Sequence, residues 1–274
     1  MTITGNLLKM SSILDNPVQY LLPVGSEQIP LNPYLEKTIS LTFTGQIHCV
    51  ACGRKTNKSF NQGYCFPCLR SLAECDMCIV KPEQCHFDQG TCRDEQWAQG
   101  HCMQEHIVYL ANSSGLKVGI TRHTQVPTRW IDQGAVQAIP VFKVKNRYIS
   151  GLVEVVMKEH VSDRTDWRKM LKGESQSVDL MATRDKLLQQ VAGDIESIQE
   201  EHGSEAVSVL DGVVTEIQYP VQQTPEKVKS LNFDKTPEVS GVLMGIKGQY
   251  LILDAGVINI RKFSGYEIEF GWKL

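Results

Sequence analysis

The stretch Cys49-Val-Ala-Cys52, followed after twelve residues by Cys65-Phe-Pro-Cys68, decides how the middle of this chain folds. In each pair, the two intervening residues let a tight turn direct both thiolates at one ion. Two such turns complete a tetrahedron, and four cysteines seldom take this spacing by chance. The spacing therefore predicts a zinc-ribbon-like segment, with two facing hairpins and one ion held by Cys49, Cys52, Cys65 and Cys68.

The other five cysteines lie within residues 75–102, so that the nine cysteines of the chain form one continuous cysteine-rich region. Cys75 and Cys78 repeat the two-residue spacing, but the three cysteines after them supply one thiolate too many for a second four-cysteine site. His86 or His106 could belong to a further arrangement. Disulfides, or a redox or iron–sulfur role, are the alternatives. We expect one or two structural zinc ions, the second held by a set drawn from Cys75, Cys78, Cys85, Cys92 and Cys102.

The chain of 274 residues is long enough for two or three domains, and its hydrophobic fraction of 42% is ordinary for a globular protein. It has no run of about eighteen apolar residues of the kind that spans a membrane, and residues 1–5 lack the features that begin a signal peptide. We therefore expect a cytoplasmic protein with no membrane partner. Its cysteines are expected to stay reduced and to bind metal.

Charge is unevenly distributed along the chain. Residues 106–150 carry six cations and one acid, whereas residues 173–240 carry thirteen acids and five bases. The six cations are Lys117, Arg122, Arg129, Lys143, Lys145 and Arg147. The net charge of −3 argues against general polyanion binding, but the basic segment favours a phosphate-rich partner, and we expect it to form one electropositive face. A solvated charged surface is the alternative.

Composition and periodicity predict an α+β protein in which helices and strands segregate along the chain. Prolines punctuate the first strands, aliphatic residues are scarce around the cysteines, and strands return near the C-terminus. The C-terminal strands predict a small β-barrel or curled sheet, which the N-terminal strands complete. The expected units are an N-terminal β segment (1–45), a zinc-binding domain (46–105), a small α/β domain (106–172), a helical connector (173–203) and a C-terminal β domain (204–274).

The α/β domain has the clearest local pattern. Apolar runs predict strands at 107–111, 116–120 and 138–144, with a hairpin turn at 112–115. Residues 151–160 change to helical spacing. This helix is expected to bury Leu152, Val155 and Val156 on the sheet. A longer helix is predicted from 177 to 202, ended by Gly203.

Four features of residues 107–160 resemble the GIY-YIG nuclease superfamily. They are Val108-Tyr109-Leu110, the run Lys117-Val-Gly-Ile-Thr121, Arg129, and Glu154 on the helix. The resemblance implies that Tyr109 positions an attacking water and that Lys117 replaces a second tyrosine and contacts phosphate. It also implies that Arg129 neutralises phosphate charge and that Glu154 holds Mg²⁺ or Mn²⁺.

Most of the chain also resembles an uncharacterised bacterial family of unknown activity. The resemblance is carried by Gly90-Thr-Cys-Arg93, Val108-Tyr-Leu-Ala-Asn112, Lys117-Val-Gly-Ile-Thr-Arg122 and Pro127-Thr-Arg-Trp-Ile-Asp-Gln-Gly-Ala135. It implies no established function.

These patterns together predict a zinc-containing protein that binds DNA or RNA and carries a GIY-YIG-like nuclease site. Tyr109, Lys117, Arg129 and Glu154 are expected to line one cleft. Residues expected to contact nucleic acid are Lys117, Arg122, Arg129, Trp130 and Gln133, of which Trp130 could instead belong to the core. The alternative is a non-catalytic, zinc-stabilised module that binds nucleic acid or a protein; a metal-sensing protein is a third interpretation.

Overall fold

The computed structural model describes residues 2–272 and shows a mixed α and β protein with several sheets. The strands are β1 (Thr2–Asn6), β2 (Ser11–Ile13), β3 (Gln19–Val24), β4 (Glu27–Pro30), β5 (Thr38–His48), β6 (Lys55–Thr56), β7 (His106–Asn112), β8 (Leu116–Arg122), β9 (Gln137–Val144), β10 (Val207–Val209), β11 (Thr215–Glu216), β12 (Glu238–Lys247), β13 (Tyr250–Leu253), β14 (Gly256–Asn259) and β15 (Tyr266–Trp272). The helices are α1 (Phe66–Ser71), α2 (Glu95–His101), α3 (Thr128–Asp132), α4 (Arg147–Lys158), α5 (Trp167–Lys172), α6 (Leu180–Gln190) and α7 (Ala192–His202).

The largest sheet joins the two ends of the chain. Its seven strands run in the order β1-β15-β5-β12-β13-β14, with β6 paired to β5. Thr2 lies opposite Gly271 in the antiparallel pair β1–β15. The N-terminal strands thus contribute to the C-terminal sheet, as predicted. Leu41, Phe263 and Phe270 belong to the large hydrophobic cluster of this part of the molecule.

The predicted β-barrel is wrong, because within residues 2–272 this sheet stays open. The free edge of β1 continues into the three-stranded sheet β2-β3-β4, where Gly25 N donates to Asn6 O over 3.0 Å. The free edge of β14 pairs with a passing segment, where Leu231 N donates to Val257 O over 2.8 Å. The backbone N–H and C=O groups at both edges thus have hydrogen-bond partners, and the sheet need not close into a barrel to pair them.

A second sheet, in the order β10-β9-β7-β8 with β11 also on β9, contains the three strands predicted for the α/β domain. Its two faces bury different cores, since successive side chains point to opposite sides. Val108 and Leu110 pack in the same cluster as α4, α6 and α7, whereas Ile107 and Tyr109 join the cluster of the large sheet. Strand β8 forms one edge of this sheet.

The helix after β9 starts earlier than predicted. Asn146 caps it by accepting a hydrogen bond from Ile149 N over 2.9 Å, so that α4 begins at Arg147 rather than at residue 151. This changes which side chains reach the sheet. Ile149 and Val153 are buried there, whereas Val155 is 42% exposed.

The predicted long helix at 177–202 is two helices, α6 and α7, which meet at the buried residue Val191. Gly203 ends the second one, as expected. With 12 residues, α4 is the longest of the described helices. Across the described range, none of the helices has the length and apolar character that crossing a bilayer requires.

Candidate metal centre and cationic cleft

The four cysteines of the first motif converge after β5. Their Sγ atoms lie within 4.8 Å of one another. The first pair sits on a tight turn in which Gly53, at φ +70°, donates from its backbone N to Cys49 O over 2.8 Å. Glycine adopts this backbone conformation without the strain that a side chain would bring. We call Cys49, Cys52, Cys65 and Cys68 the first thiol cluster.

The second pair differs from the predicted ribbon, because it begins a helix rather than standing on a hairpin alone. Cys65 is the N-cap of α1, and Cys68 lies in the first turn. Cys65 N also lies 3.3 Å from Cys49 Sγ, so that the backbone itself contacts the cluster.

The first thiol cluster fits a tetrahedral zinc ion. Zinc–sulfur bonds of about 2.3 Å imply sulfur–sulfur edges of about 3.8 Å, and Cys52 Sγ and Cys65 Sγ are 3.8 Å apart. Burial raises the pKa of Cys49, but backbone N–H groups of Cys65, Cys52 and Ala51 outweigh it and lower this pKa to about 6. The Cys49 thiolate, the form that binds zinc, is thus favoured near neutral pH, whereas burial and the neighbouring thiols raise the pKa of Cys68.

The remaining cysteines divide into two places. Cys75, which is partly buried, does not line the cavity that holds the other four thiols. The other four, Cys78, Cys85, Cys92 and Cys102, line a separate small cavity. All nine are free thiols.

A cleft of about 830 Å³ opens where the cysteine-rich region, the second sheet and the large sheet meet. Residues from distant parts of the sequence form its wall, among them Tyr64, Ile79, Pro82, Gly119, Arg122, Arg129, Gln133, Arg147, Glu154 and Arg261.

Cations outnumber acids on this wall. The cations are Lys9, Arg122, Arg129, Arg147, Lys158 and Arg261, and the acids are Glu74, Asp132, Glu154 and Asp163. Lys9 pairs with Asp132 over 2.7 Å. Considering residues 2–272 only, none of the four arginines has a carboxylate within ion-pairing distance. The cleft therefore offers unneutralised guanidinium groups, which suit phosphate.

Glu154 lies on the cleft side of α4. Its carboxylate is 3.3 Å from Lys158 Nζ, which also lies 3.1 Å from Asp163. Burial raises the pKa of Glu154, while Lys158 opposes that shift. The carboxylate is therefore a partly desolvated group that faces the cleft.

Tyr109 and Lys117 share one face of the sheet, as predicted, but they lie behind the cleft wall. They are 0% and 3% exposed. Burial raises the pKa of Tyr109 to about 12. Burial, and then the charge of Arg129, lowers the pKa of Lys117 to about 8. Of the four residues predicted to line one cleft, Arg129 and Glu154 line it, and Tyr109 and Lys117 are buried beside it.

The residues predicted to contact nucleic acid divide in the same way. Arg122, Arg129 and Gln133 line the cleft. Trp130 is 3% exposed and packs edge-on against Tyr109 at 5.9 Å, so it belongs to the core. Nor do all six cations of the basic segment line the cleft. Lys143 pairs with Glu105 over 3.1 Å, and the exposed Lys145 is not part of the cleft wall.

Several cleft residues were missed by the sequence analysis. Arg261 follows β14 on a short 3₁₀ turn, far along the chain from Arg129. Lys9 and Lys158 likewise belong to no motif. Only Arg147 gave a signal, as one of the six cations of the basic segment, although no role was assigned to it.

Residues 36–268 match the model of a family described as proteins of unknown function (DUF2797). The chain belongs to this family. The match covers the cysteine-rich region, the second sheet and most of the large sheet, so the predicted membership of an uncharacterised family is confirmed. No curated protein and no solved structure matches the chain.

Proposed function

We propose that this DUF2797 protein binds nucleic acid in the cationic cleft, with the zinc-stabilised region as one wall. The observation that carries the proposal is the convergence of Arg122, Arg129, Arg147 and Arg261 on one cleft. Guanidinium groups form paired hydrogen bonds with phosphate oxygens.

The crowding of these cations supports an anionic ligand. Burial lowers the pKa of Arg261, and the charge of Arg129 lowers it further. Repulsion between like charges costs stability. A bound phosphate backbone would reduce this repulsion.

A second candidate function is phosphodiester cleavage in a GIY-YIG-like arrangement. It is favoured by Glu154, whose carboxylate shares the cleft with Arg129. Mg²⁺ or Mn²⁺ bound there would supply Lewis-acid stabilisation of the leaving oxygen. Arg129 would neutralise charge on the phosphate. Binding without cleavage is the alternative, since the arginines need no metal to hold phosphate.

Binding is tested by fluorescence anisotropy with labelled single- and double-stranded DNA and RNA over a range of salt concentrations. Arg129→Gln and Arg261→Gln are expected to weaken binding and, for duplex DNA, to reduce the salt slope by about 0.9 per lost phosphate contact. Lys145→Gln removes an exposed cation outside the cleft and is expected to change binding little. If no nucleic acid binds at low salt, the proposal is wrong and a protein partner is favoured.

Cleavage is tested on the same substrates with Mg²⁺ or Mn²⁺ in excess. Products that depend on the added ion would support the nuclease function. Tight, salt-dependent binding without cleavage products would support a non-catalytic nucleic-acid-binding module instead.

A further inference from the structure

Residues 72–105 have very little hydrophobic core of their own. Their regular structure is four short 3₁₀ turns and α2. The buried residues of this stretch are Ala73, Pro82, Ala98 and Cys102. So small an apolar core does not offset the conformational entropy of ordering a segment of this length. Another source of stability is needed.

Four thiols of this segment line one small cavity. Cys78 lies within the turn Met77–Ile79, and Cys85 directly follows the turn Pro82–Gln84. Cys92 lies just before α2, and Cys102 is the C-cap of that helix. A single ion bound by all four would therefore join two of the four turns to both ends of α2. In the described structure the four Sγ atoms are not gathered within 4.8 Å as those of the first thiol cluster are, so a bound ion would draw them together.

We propose that Cys78, Cys85, Cys92 and Cys102, the second thiol cluster, bind a second structural zinc ion as four thiolates. Binding releases the thiol protons, and the binding energy becomes folding energy. Four sulfur ligands fill the tetrahedral shell and leave no position for substrate. The site is independent of what the cleft binds.

Cys75 is excluded from this set although its spacing from Cys78 repeats that of the first motif. It does not line the cavity that the other four thiols share. Its exclusion removes the surplus thiolate that made the sequence pattern ambiguous.

Asp76 and His86 form a rival ligand set with Cys78, because one ligand atom of each lies within 4.8 Å of the others. The Asp76 carboxylate is already paired, however, and His86 Nε2 lies 3.6 Å from it. Asp76 pairs with Arg93 over 2.6 Å and accepts from Cys78 N over 3.2 Å. His86 Nδ1 lies 2.7 Å from Thr91 Oγ1. These contacts suit residues that surround the thiolates and hold the turns in place.

The environment also offsets the charge of the site. A zinc ion with four thiolates carries a net charge of about −2. Arg93 lines the cavity, and the Arg147 side chain donates to the backbone O of Ile79, another residue of its lining. Two guanidinium groups thus stand next to the cluster.

The second ion would also support the cleft wall. The Arg147 side chain donates to Ile79 O, next to Cys78. Gly151 of α4 lies so close to Pro82 and Glu83 that an added Cβ would collide with their backbone. The turns held by the second thiol cluster therefore pack directly on the helix that carries Arg147 and Glu154.

The test is the zinc content of the purified full-length chain, measured by elemental analysis. We expect two ions per chain, and one after Cys78→Ser, Cys85→Ser, Cys92→Ser or Cys102→Ser. Cys75→Ser, from the same segment, is the matched control and should keep two. Asp76→Asn and His86→Asn should also keep two.

One zinc ion in the wild-type chain would overturn the proposal. Loss of an ion in Asp76→Asn or His86→Asn would instead assign the rival set, and loss in Cys75→Ser would reject the exclusion of that residue. Should the cysteine variants fail to fold, titration of Co²⁺ into the metal-free wild-type chain distinguishes a four-thiolate second site from the rival set. The thiolate-to-cobalt absorption should be equal for the two ions, whereas a single thiolate in the second site would give far less. Each outcome is independent of nucleic-acid binding.

Discussion

The hydroxyl of Tyr109 lies 2.9 Å from Gln133 Oε1 and donates a hydrogen bond to it. The contact joins β7 to the residue that follows α3, and Gln133 in turn lines the cleft. Because burial raises the pKa of Tyr109 to about 12, the hydroxyl stays protonated at neutral pH. Tyr109 is therefore placed to hold Gln133 at the cleft wall.

Tyr109→Phe is expected to remove this hydrogen bond and little packing. We expect a loss of about 1 kcal/mol in the free energy of unfolding, since Gln133 can turn to solvent in the cleft. Urea denaturation measures the loss. The salt dependence of nucleic-acid binding should be unchanged, because the hydroxyl carries no charge. A changed salt slope would mean that Tyr109 acts on the ligand as a charged group.

Gly119→Ala is expected to destabilise the protein by about 1–3 kcal/mol through overpacking. A Cβ at this position would lie 2.7 Å from both Cζ and Oη of Tyr109, whose side chain is fully buried. The matched control is Gly193→Ala on α7, where an added Cβ meets nothing within 4 Å. There the better helix propensity of alanine should stabilise by up to about 1 kcal/mol. Equal effects of the two substitutions would show that the Tyr109 ring moves aside freely.

Patterns of neighbouring residues predicted the features that depend on neighbouring residues alone. The paired cysteines fixed the first thiol cluster, and alternating apolar residues located β7, β8 and β9 within two residues at each end. The start of α4 was missed because Asn146, one polar residue, caps the helix and changes its buried face.

Long-range pairing was beyond the reach of these patterns. Nothing near Arg261 indicates that the turn after β14 reaches Arg129, and the outer edge of β14 is satisfied by a segment with no strand periodicity. The choice among the last five cysteines also depended on which turns meet around one cavity. Spacing alone cannot specify that.

Protonation of His106 is expected to destabilise the fold as pH falls. The side chain is fully buried, with Nδ1 2.7 Å from Gln104 O and Nε2 without a hydrogen-bond partner. Burial, together with the cations Arg147 and Arg122, lowers its pKa from 6.5 to about 4. Between pH 6.5 and about pH 4, His106 is therefore protonated in the unfolded chain and neutral in the folded chain. Stability should fall across that window by up to about 3 kcal/mol, at about 1.4 kcal/mol per pH unit.

The measurement is denaturant unfolding of the wild type and His106→Phe from pH 7 to pH 4. The variant should lose less stability, and the difference between the two curves removes contributions that both proteins share, such as protonation of cysteines. His160→Gln, at an exposed position, should follow the wild type. Parallel curves for wild type and His106→Phe would refute the prediction.

Glu154→Gln is expected to separate cation binding from nucleic-acid binding in the cleft. The substitution removes the carboxylate that would hold a divalent ion while keeping nearly the same shape. If the cleft cleaves phosphodiesters, cleavage should be lost. Binding measured in a metal chelator should be unchanged or stronger, because one negative charge leaves the cleft. Asp163→Asn is the matched control, since Asp163 also lines the cleft and pairs with Lys158.

The stability of Glu154→Gln has a defined dependence on pH. Because burial raises the pKa of Glu154 in the folded state, the folded chain holds a proton that the unfolded chain releases. The charged carboxylate therefore costs stability as pH rises through the raised pKa, and that cost is absent below the unfolded value of about 4.3. Relative to the wild type, the variant should be as stable or more stable at pH 7 and should lose this advantage near pH 4. If Glu154→Gln lowers the free energy of unfolding at pH 7, the Glu154–Lys158 ion pair outweighs the cost of burying the carboxylate. If Glu154→Gln still cleaves nucleic acid, Glu154 is excluded as the cation ligand.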